Sequence, residues 1–362
     1  GVAVMPGDKE LRTILADTCS RLFTAQVTPQ LQESAEKGTW PEALWRQVEE
    51  NGLTLPQVPE SRGGAGGSWS DAHVVLTTAG RHAVPLPIAE TMMGGWLLAQ
   101  SGLDVPMGPI TLAPTSVHTR LTLTRNGKDW RLEGSAPRVP WGRQAEHVVV
   151  AAEDEGRPMI ALVARGAASV EEDVNLALEP RDTLTWRAAP VVAAIPGPSA
   201  DQLRQLGALA RAAQMAGGLE YLLAQSVKYV TERSQFGRTL ASFQAIQHQL
   251  ALLAGHTAAA GMAAQHAFAI MDSRGAANLG EAAFEVAVAK VRVGEAAGLG
   301  AGIAHQSHGA IGFTYEHSLH FVTRRLWSWR AEFGGESHWS LELGREVAAR
   351  GAEALWPHLT SR

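Results

Sequence analysis

A single cysteine, Cys19, stands in 362 residues. One thiol forms no internal disulfide and builds no cysteine cage for zinc. Such scarcity fits a reducing compartment. Long apolar runs are missing too. No stretch approaches the roughly 18 consecutive apolar residues of a membrane span, so no membrane association is expected. The opening Gly1-Val2-Ala3-Val4-Met5-Pro6-Gly7-Asp8 has no basic region followed by an apolar core. No secretory signal is therefore expected, and a cytoplasmic location is. Positive charge is not in excess: 31 Lys and Arg stand against 36 Asp and Glu, for a formal net charge of -5. Without a long Lys/Arg run to override that balance, nucleic acid is excluded as a partner. What the chain does have is 45% apolar and 19% charged residues, the composition of a folded globular protein with room for two or three domains.

Three zones differ in periodicity. Residues 1–105 read as a helical N-terminal domain. Leu11, Ile14, Leu15, Thr18 and Leu22 recur at helical spacing, and Pro41 and Gly52 bracket a helix whose inner face holds Leu44, Trp45 and Val48. A helix pair follows over Ala72–Ala83 and Ala89–Ser101. Residues 106–195 read as a small antiparallel β domain. Leu121 and Leu123 alternate with threonines before Asn126-Gly127, a hairpin pair in which both turn residues take positive φ. Strands are expected over His147–Ala152, Met159–Ala164 and Thr183–Arg187. Residues 196–362 return to helical spacing. One stripe runs through Ile246, Leu250, Leu253, Thr257, Ala260, Ala264, Phe268 and Met271; a second takes Leu206, Leu209, Ala213, Ala216, Leu219, Leu223, Val227 and Val230. Phe284, Val288, Val291 and Ile303 suggest a third. The expected fold is α+β: helical, then β, then a C-terminal four-helix bundle.

Arg233-Ser234-Gln235-Phe236-Gly237-Arg238-Thr239-Leu240 lies between two of these helices, and Ser242-Phe243-Gln244-Ala245-Ile246-Gln247-His248-Gln249-Leu250-Ala251 follows. A guanidinium, side-chain amides and turn N–H groups thus meet at one helix junction, a set of donors suited to a diphosphate. The plain alternative is a helix–helix turn with a solvated arginine. Gly63-Gly64-Ala65-Gly66-Gly67 lacks the Lys-Ser/Thr of a phosphate loop and reads as a flexible connection. His305 and His308 stand three apart with no carboxylate or cysteine beside them, so no metal site is expected.

These motifs resemble the acyl-CoA dehydrogenase family. Arg-x-x-Phe-Gly followed by Phe-Gln and Leu-Ala is similar to its C-terminal signature. Gln306-Ser307-His308-Gly309-Ala310-Ile311-Gly312-Phe313-Thr314-Tyr315-Glu316-His317 is similar to a second segment of that family, and Trp45 through Gly66 to a third. The resemblance runs nearly the whole chain in order and is thinnest over 106–195. It implies an FAD-dependent acyl-CoA dehydrogenase acting on an acyl-CoA thioester and passing electrons to an acceptor flavoprotein. Arg233, Gln235 and Phe236 would belong to the FAD site at the diphosphate and ribityl region. Gln306, Gly309 and Ala310 would line the adenosine side. In this family that last segment reaches a neighbouring subunit's flavin, which implies a homo- or hetero-oligomer.

The resemblance fails where proton abstraction belongs. The family's carboxylate sits either 26 residues before the motif arginine, which is Gly207 here, or in a C-terminal turn, where Phe333 precedes Gly334. Glu332 is the candidate base but lies one residue out of register, about 100° round a helix. The first β segments read Leu112-Ala113-Pro114-Thr115-Ser116-Val117-His118, without the family's Gly-Ser-Asp. Two alternatives therefore stand beside an independent dehydrogenase: a non-catalytic FAD-binding partner subunit of a mixed enzyme, and a structural helical protein without cofactor.

Overall fold

The computed structural model describes residues 6–113, 118–232, 234–235, 237–309 and 317–361. Helices come first: α1 (Pro6–Gln26), α2 (Pro29–Glu36), α3 (Glu42–Glu50), α4 (Trp69–Arg81) and α5 (Ile88–Gln100). α3 buries Leu44, Trp45 and Val48, as the spacing predicts. α1 differs by one step. Its core face is Leu15, Cys19 and Phe23, and Ile14 points to solvent. α4 starts at a capping box in which Ser68 and Asp71 satisfy each other's backbone N–H. Asp272, from far along the chain, accepts from the amides of Trp69 (2.7 Å) and Ser70 (3.1 Å).

The sheet holds β1 (Ile110–Ala113), β2 (Thr122–Asn126), β3 (Asp129–Pro140), β4 (His147–Asp154), β5 (Arg157–Ala164), β6 (Ser169–Glu171), β7 (Arg181–Pro190) and β8 (Ala193–Pro196). Its order is β6-β7-β3-β2-β4-β5-β8, with β1 beside β4. Two expectations change here. The sheet is mixed rather than antiparallel, because β1 runs parallel to β4 and β2 touches β4 in parallel at Thr122. The β2–β3 hairpin turns at Gly127-Lys128, with Asn126 paired to Asp129 inside the ladder, so only Gly127 takes positive φ. The turn with two positive-φ residues is Glu155-Gly156, between β4 and β5. Among the described residues, no crossover helix links the parallel strands.

The remaining helices are α6 (Ala200–Glu232), α7 (Gln244–Ile270), α8 (Ala283–Gly309), α9 (His317–Trp329), α10 (Glu336–Arg350) and α11 (Ala352–Thr360), with a two-residue pair, β9 (Ser234–Gln235) and β10 (Arg238–Thr239), between α6 and α7. α6, α7, α8 and α9 pack as a bundle with α10 against α8. α4 docks on α6 through bare backbone. A Cβ on Gly80 would lie 2.0 Å from the Gln214 carbonyl oxygen, and one on Gly217 would lie 1.9 Å from that of Thr77. Two glycines let the helices cross at contact distance.

Candidate functional site

At one end of the bundle, α6 stops at Glu232 and the chain reverses through β9 and β10, with Arg238 opposite Gln235 and Gly237 at φ +73°. Arg233, Phe236 and Ala310 lie outside the described residues, and of Gln235 the backbone alone is described. Arg238 is exposed; its guanidinium covers the Phe243 ring at 4.9 Å and donates to the Ser242 carbonyl at 3.1 Å. α7 then opens at Gln244 with no side chain capping its amides. The end of α8 comes to the same place: exposed Gln306 accepts from Gln249 Nε2 at 3.1 Å, and Gly309 closes the helix. Gln306 thus meets the second turn of α7, far from it in sequence. His305 is exposed while His308 is buried with its ring 4.2 Å from that of Tyr229. The Gly63–Gly67 loop folds onto itself, Gly64 and Gly66 donating to the carbonyls of Pro59 and Val58. Those two amides are already bonded within the loop.

The second locus lies where α6, α9 and the sheet meet. Gly207 on α6 faces Phe333 directly. A Cβ there would sit 2.2 Å from Phe333 Cδ1, so the ring occupies the space a side chain at 207 would need. Phe333 takes φ +57°, and Gly334 follows at +91°. The left-handed turn sets the ring against α6 at Gly207, while the Glu332 carboxylate meets α6 one turn further on, at Arg211.

Glu332 is held in a buried cluster of alternating charge. It accepts from Arg181 Nε at 2.6 Å and Nη2 at 3.1 Å, from Arg211 Nε at 2.8 Å and from Asn175 Nδ2 at 3.3 Å. Arg211 also donates to Glu90 (3.0 Å) and Gln214 (2.8 Å), and its guanidinium lies 5.2 Å over the Phe333 ring. Glu179 accepts from Arg181 at 3.2 Å and from Trp329 Nε1 at 2.9 Å, and pairs with Arg325 at 3.5 Å. Burial alone would raise the Glu332 carboxyl, but Arg181 and Arg211 overcome it and hold the group down at about 2. A carboxylate with that affinity for its arginines is a poor proton acceptor near neutrality. Glu332 also lines a cavity of about 440 Å³, together with Pro137, Pro140, Asn175, Trp327 and Phe333.

Sequence reasoning named Gly207, Glu332 and Phe333 but missed the cluster around them. The signal available was Arg211, alone within Ala208-Leu209-Ala210-Arg211-Ala212-Ala213 on a core-facing helix. A charge in such a run is buried and paired or it does not persist.

The chain matches the model of the acyl-CoA dehydrogenase N-terminal domain over residues 9–104 and that of the C-terminal domain over 200–337. It is 28% identical over 352 residues to acyl-CoA dehydrogenase IpdE2 of Mycobacterium tuberculosis, covering 96% of this chain and 98% of that protein. A solved variant of the Tcur3481–Tcur3483 steroid ACAD superimposes with TM-score 0.84 at 28% identity, covering 95% of this chain and 99% of the other. The ChsE4–ChsE5 complex from Mycobacterium tuberculosis shares the fold, with TM-score 0.81 and 24% identity over 96% of this chain and 98% of the other.

Proposed function

The chain belongs to the acyl-CoA dehydrogenase family, and within it we propose that this subunit completes an FAD site without carrying the proton acceptor for the reaction. The observation that carries this reading is the contact between Phe333 and Gly207. The two positions at which the family resemblance calls for a carboxylate are filled by one ring resting on one bare backbone. Glu332 lines the same cavity, but its carboxylate is engaged by Arg181 and Arg211. We divide the chain after residues 105 and 195, although β8 runs one residue past the second boundary.

FAD fits the open end of the bundle by donor chemistry. Arg238 lies just ahead of α7, whose 27 residues open with no side-chain cap, and the amides of Gln249 and Gln306 meet in its second turn. Arg233, Gln235 and Phe236 would hold its diphosphate and ribityl portion, and Gln306, Gly309 and Ala310 its adenosine portion. When bound, FAD takes up the hydride lost from the β carbon of an acyl-CoA thioester. Arg238 and the amides bind and orient; no residue of this cleft receives the α proton, which falls to a carboxylate of a sister chain. Electrons leave to an acceptor flavoprotein.

The outer faces of α7 and α8 support an assembly. Leu252, Met262 and Leu299 are 45%, 72% and 53% exposed, and Cβ atoms at Gly255, Gly261 and Gly302 would meet nothing within 4 Å. Small residues among large exposed apolar ones suit close approach by another subunit. The solved relative at 28% identity carries two component names, Tcur3481 and Tcur3483, which favours an unlike partner. Among the described residues no helix is long and apolar enough to cross a membrane, and we place the protein in the cytoplasm. The test is anaerobic flavin bleaching by a panel of acyl-CoAs, with this chain alone and co-purified with its partner. Bleaching by the mixed protein alone is expected; rapid bleaching by this chain by itself overturns the reading.

A further inference from the structure

α8 carries a buried lysine that the site above does not use. Lys290 is fully buried, and its Nζ donates to the carbonyl oxygens of Arg330 at 3.0 Å and Gly334 at 2.7 Å. These two carbonyls are the ends of the turn that presents Phe333. The same turn is gripped from α10, where Trp339 Nε1 donates to the carbonyls of Phe333 (3.0 Å) and Gly334 (3.1 Å). The charged groups facing Lys290 are Glu332 and Arg330 of the turn, Arg211 of α6 and Glu336 of α10. Both carboxylates are already engaged: Glu332 by Arg181 and Arg211, and Glu336 by Arg330, through Nε and Nη2 at 3.0 Å each.

We propose that Lys290 is the positioning residue of the 330–335 turn and that it works there as a neutral amine. An ammonium presents three N–H bonds and a neutral amine two. Lys290 has two carbonyl partners at the turn, and its neighbouring anions are held by arginines, so the two N–H bonds of the neutral form suffice to keep both contacts. The third proton would be buried without an acceptor, at a cost. Burial, the largest influence, and the nearby arginines push the group from 10.5 down to about 7.

The sign of the pH dependence follows. Below about 7 the group is charged whether the turn is closed or open, and the balance is flat. Above that pH the closed turn holds a neutral amine, while an opened turn would expose the amine to water and bind a proton up to its ordinary range near 10.5. The open form therefore gains protons as pH falls from about 10 to about 7, and the turn is tightest at alkaline pH. The slope is at most about tenfold in the open–closed ratio per pH unit. This holds whether or not the chain binds flavin or a partner.

The test is fluorine NMR of the full chain labelled with 5-fluorotryptophan, with the Trp339 resonance identified by its loss in Trp339→Phe. One transition near pH 7 is expected in the native protein. Lys290→Met, which has no donor, and Lys290→Arg, which keeps its proton throughout, should abolish it. His338, whose ring lies 4.8 Å from Trp339, is held below its ordinary 6.5 by burial and stays neutral above pH 7. Exchange of amides 331–336, corrected for intrinsic rate, should slow as pH rises from 7 to 9. A flat native titration overturns the proposal even where neither variant folds, and so does a transition that survives in Lys290→Met or Lys290→Arg.

Discussion

Gly207→Ala adds one methyl group where the structure leaves no room for it. The new Cβ would lie 2.2, 2.4 and 2.5 Å from Cδ1, Cγ and Cε1 of Phe333. The ring has little freedom to retreat, because its backbone is fixed in the left-handed region and its carbonyl is held by Trp339. Overpacking of this kind costs about 1–3 kcal/mol. Replacing glycine inside a helix returns up to about 1 kcal/mol. The net expectation is a loss of up to about 2 kcal/mol by denaturant unfolding. Phe333→Ala removes a buried ring and should cost about 3–5 kcal/mol. In that background the methyl at 207 enters vacated space, so the double variant should be more stable than the sum of the singles by about 1–3 kcal/mol. A Gly207→Ala protein as stable as the native one, together with additive singles, would show that ring and backbone do not compete for this space. The case against a proton acceptor in this cleft would then lose its main support.

Glu332→Gln should leave the activity of the mixed enzyme unchanged but destabilise this chain by roughly 3–5 kcal/mol at neutral pH, since Arg181 and Arg211 lose a buried partner. Because the native carboxyl is held at about 2 against an ordinary 4.5, its contribution is complete above about 4.5 and drains away as pH falls toward 2. An acid-unfolding series should therefore be flatter in the variant, and equal slopes count against the cluster. Arg233→Ala should weaken FAD retention by about ten- to a hundredfold, from roughly 1.5–3 kcal/mol for a charge-assisted contact; unchanged flavin content after dialysis sinks the assignment of that turn. Sedimentation should show a dimer or larger assembly, and a monodisperse 38.5 kDa monomer that still retains FAD contradicts the exposed α7–α8 face as an interface.

Helices were legible from spacing wherever large apolar residues face the core, as with Leu44, Trp45 and Val48, or with Leu253, Ala260, Ala264 and Phe268 on α7. The sense of the pattern inverted on α8. Val288 and Leu299 are exposed there, while the core takes Ala289, Ala296, Ala297, Ala301 and Ala304. Val286 and Val293 are buried on the same helix, so size alone does not tell its inner face from its outer one. On α6, likewise, Val227 is exposed and Leu222 and Tyr229 turn inward. The candidate base was legible as a gap, because Gly207 and Phe333 could be counted from the motif. Its cause was not. The ion cluster draws Glu90, Glu179, Arg181, Arg211, Arg325 and Glu332 from five separate stretches of chain, and no local pattern records that they meet.

The crossing of α4 and α6 has a mechanical consequence. Gly80 presses on the Gln214 carbonyl and Gly217 on that of Thr77, while Arg81 pairs with Glu220 between them. Helices in contact at two reciprocal points along their length resist both sliding and rolling, since any side chain entering either notch would be driven into peptide backbone. The N-terminal helices are thus splinted to the bundle and move with it as one lever.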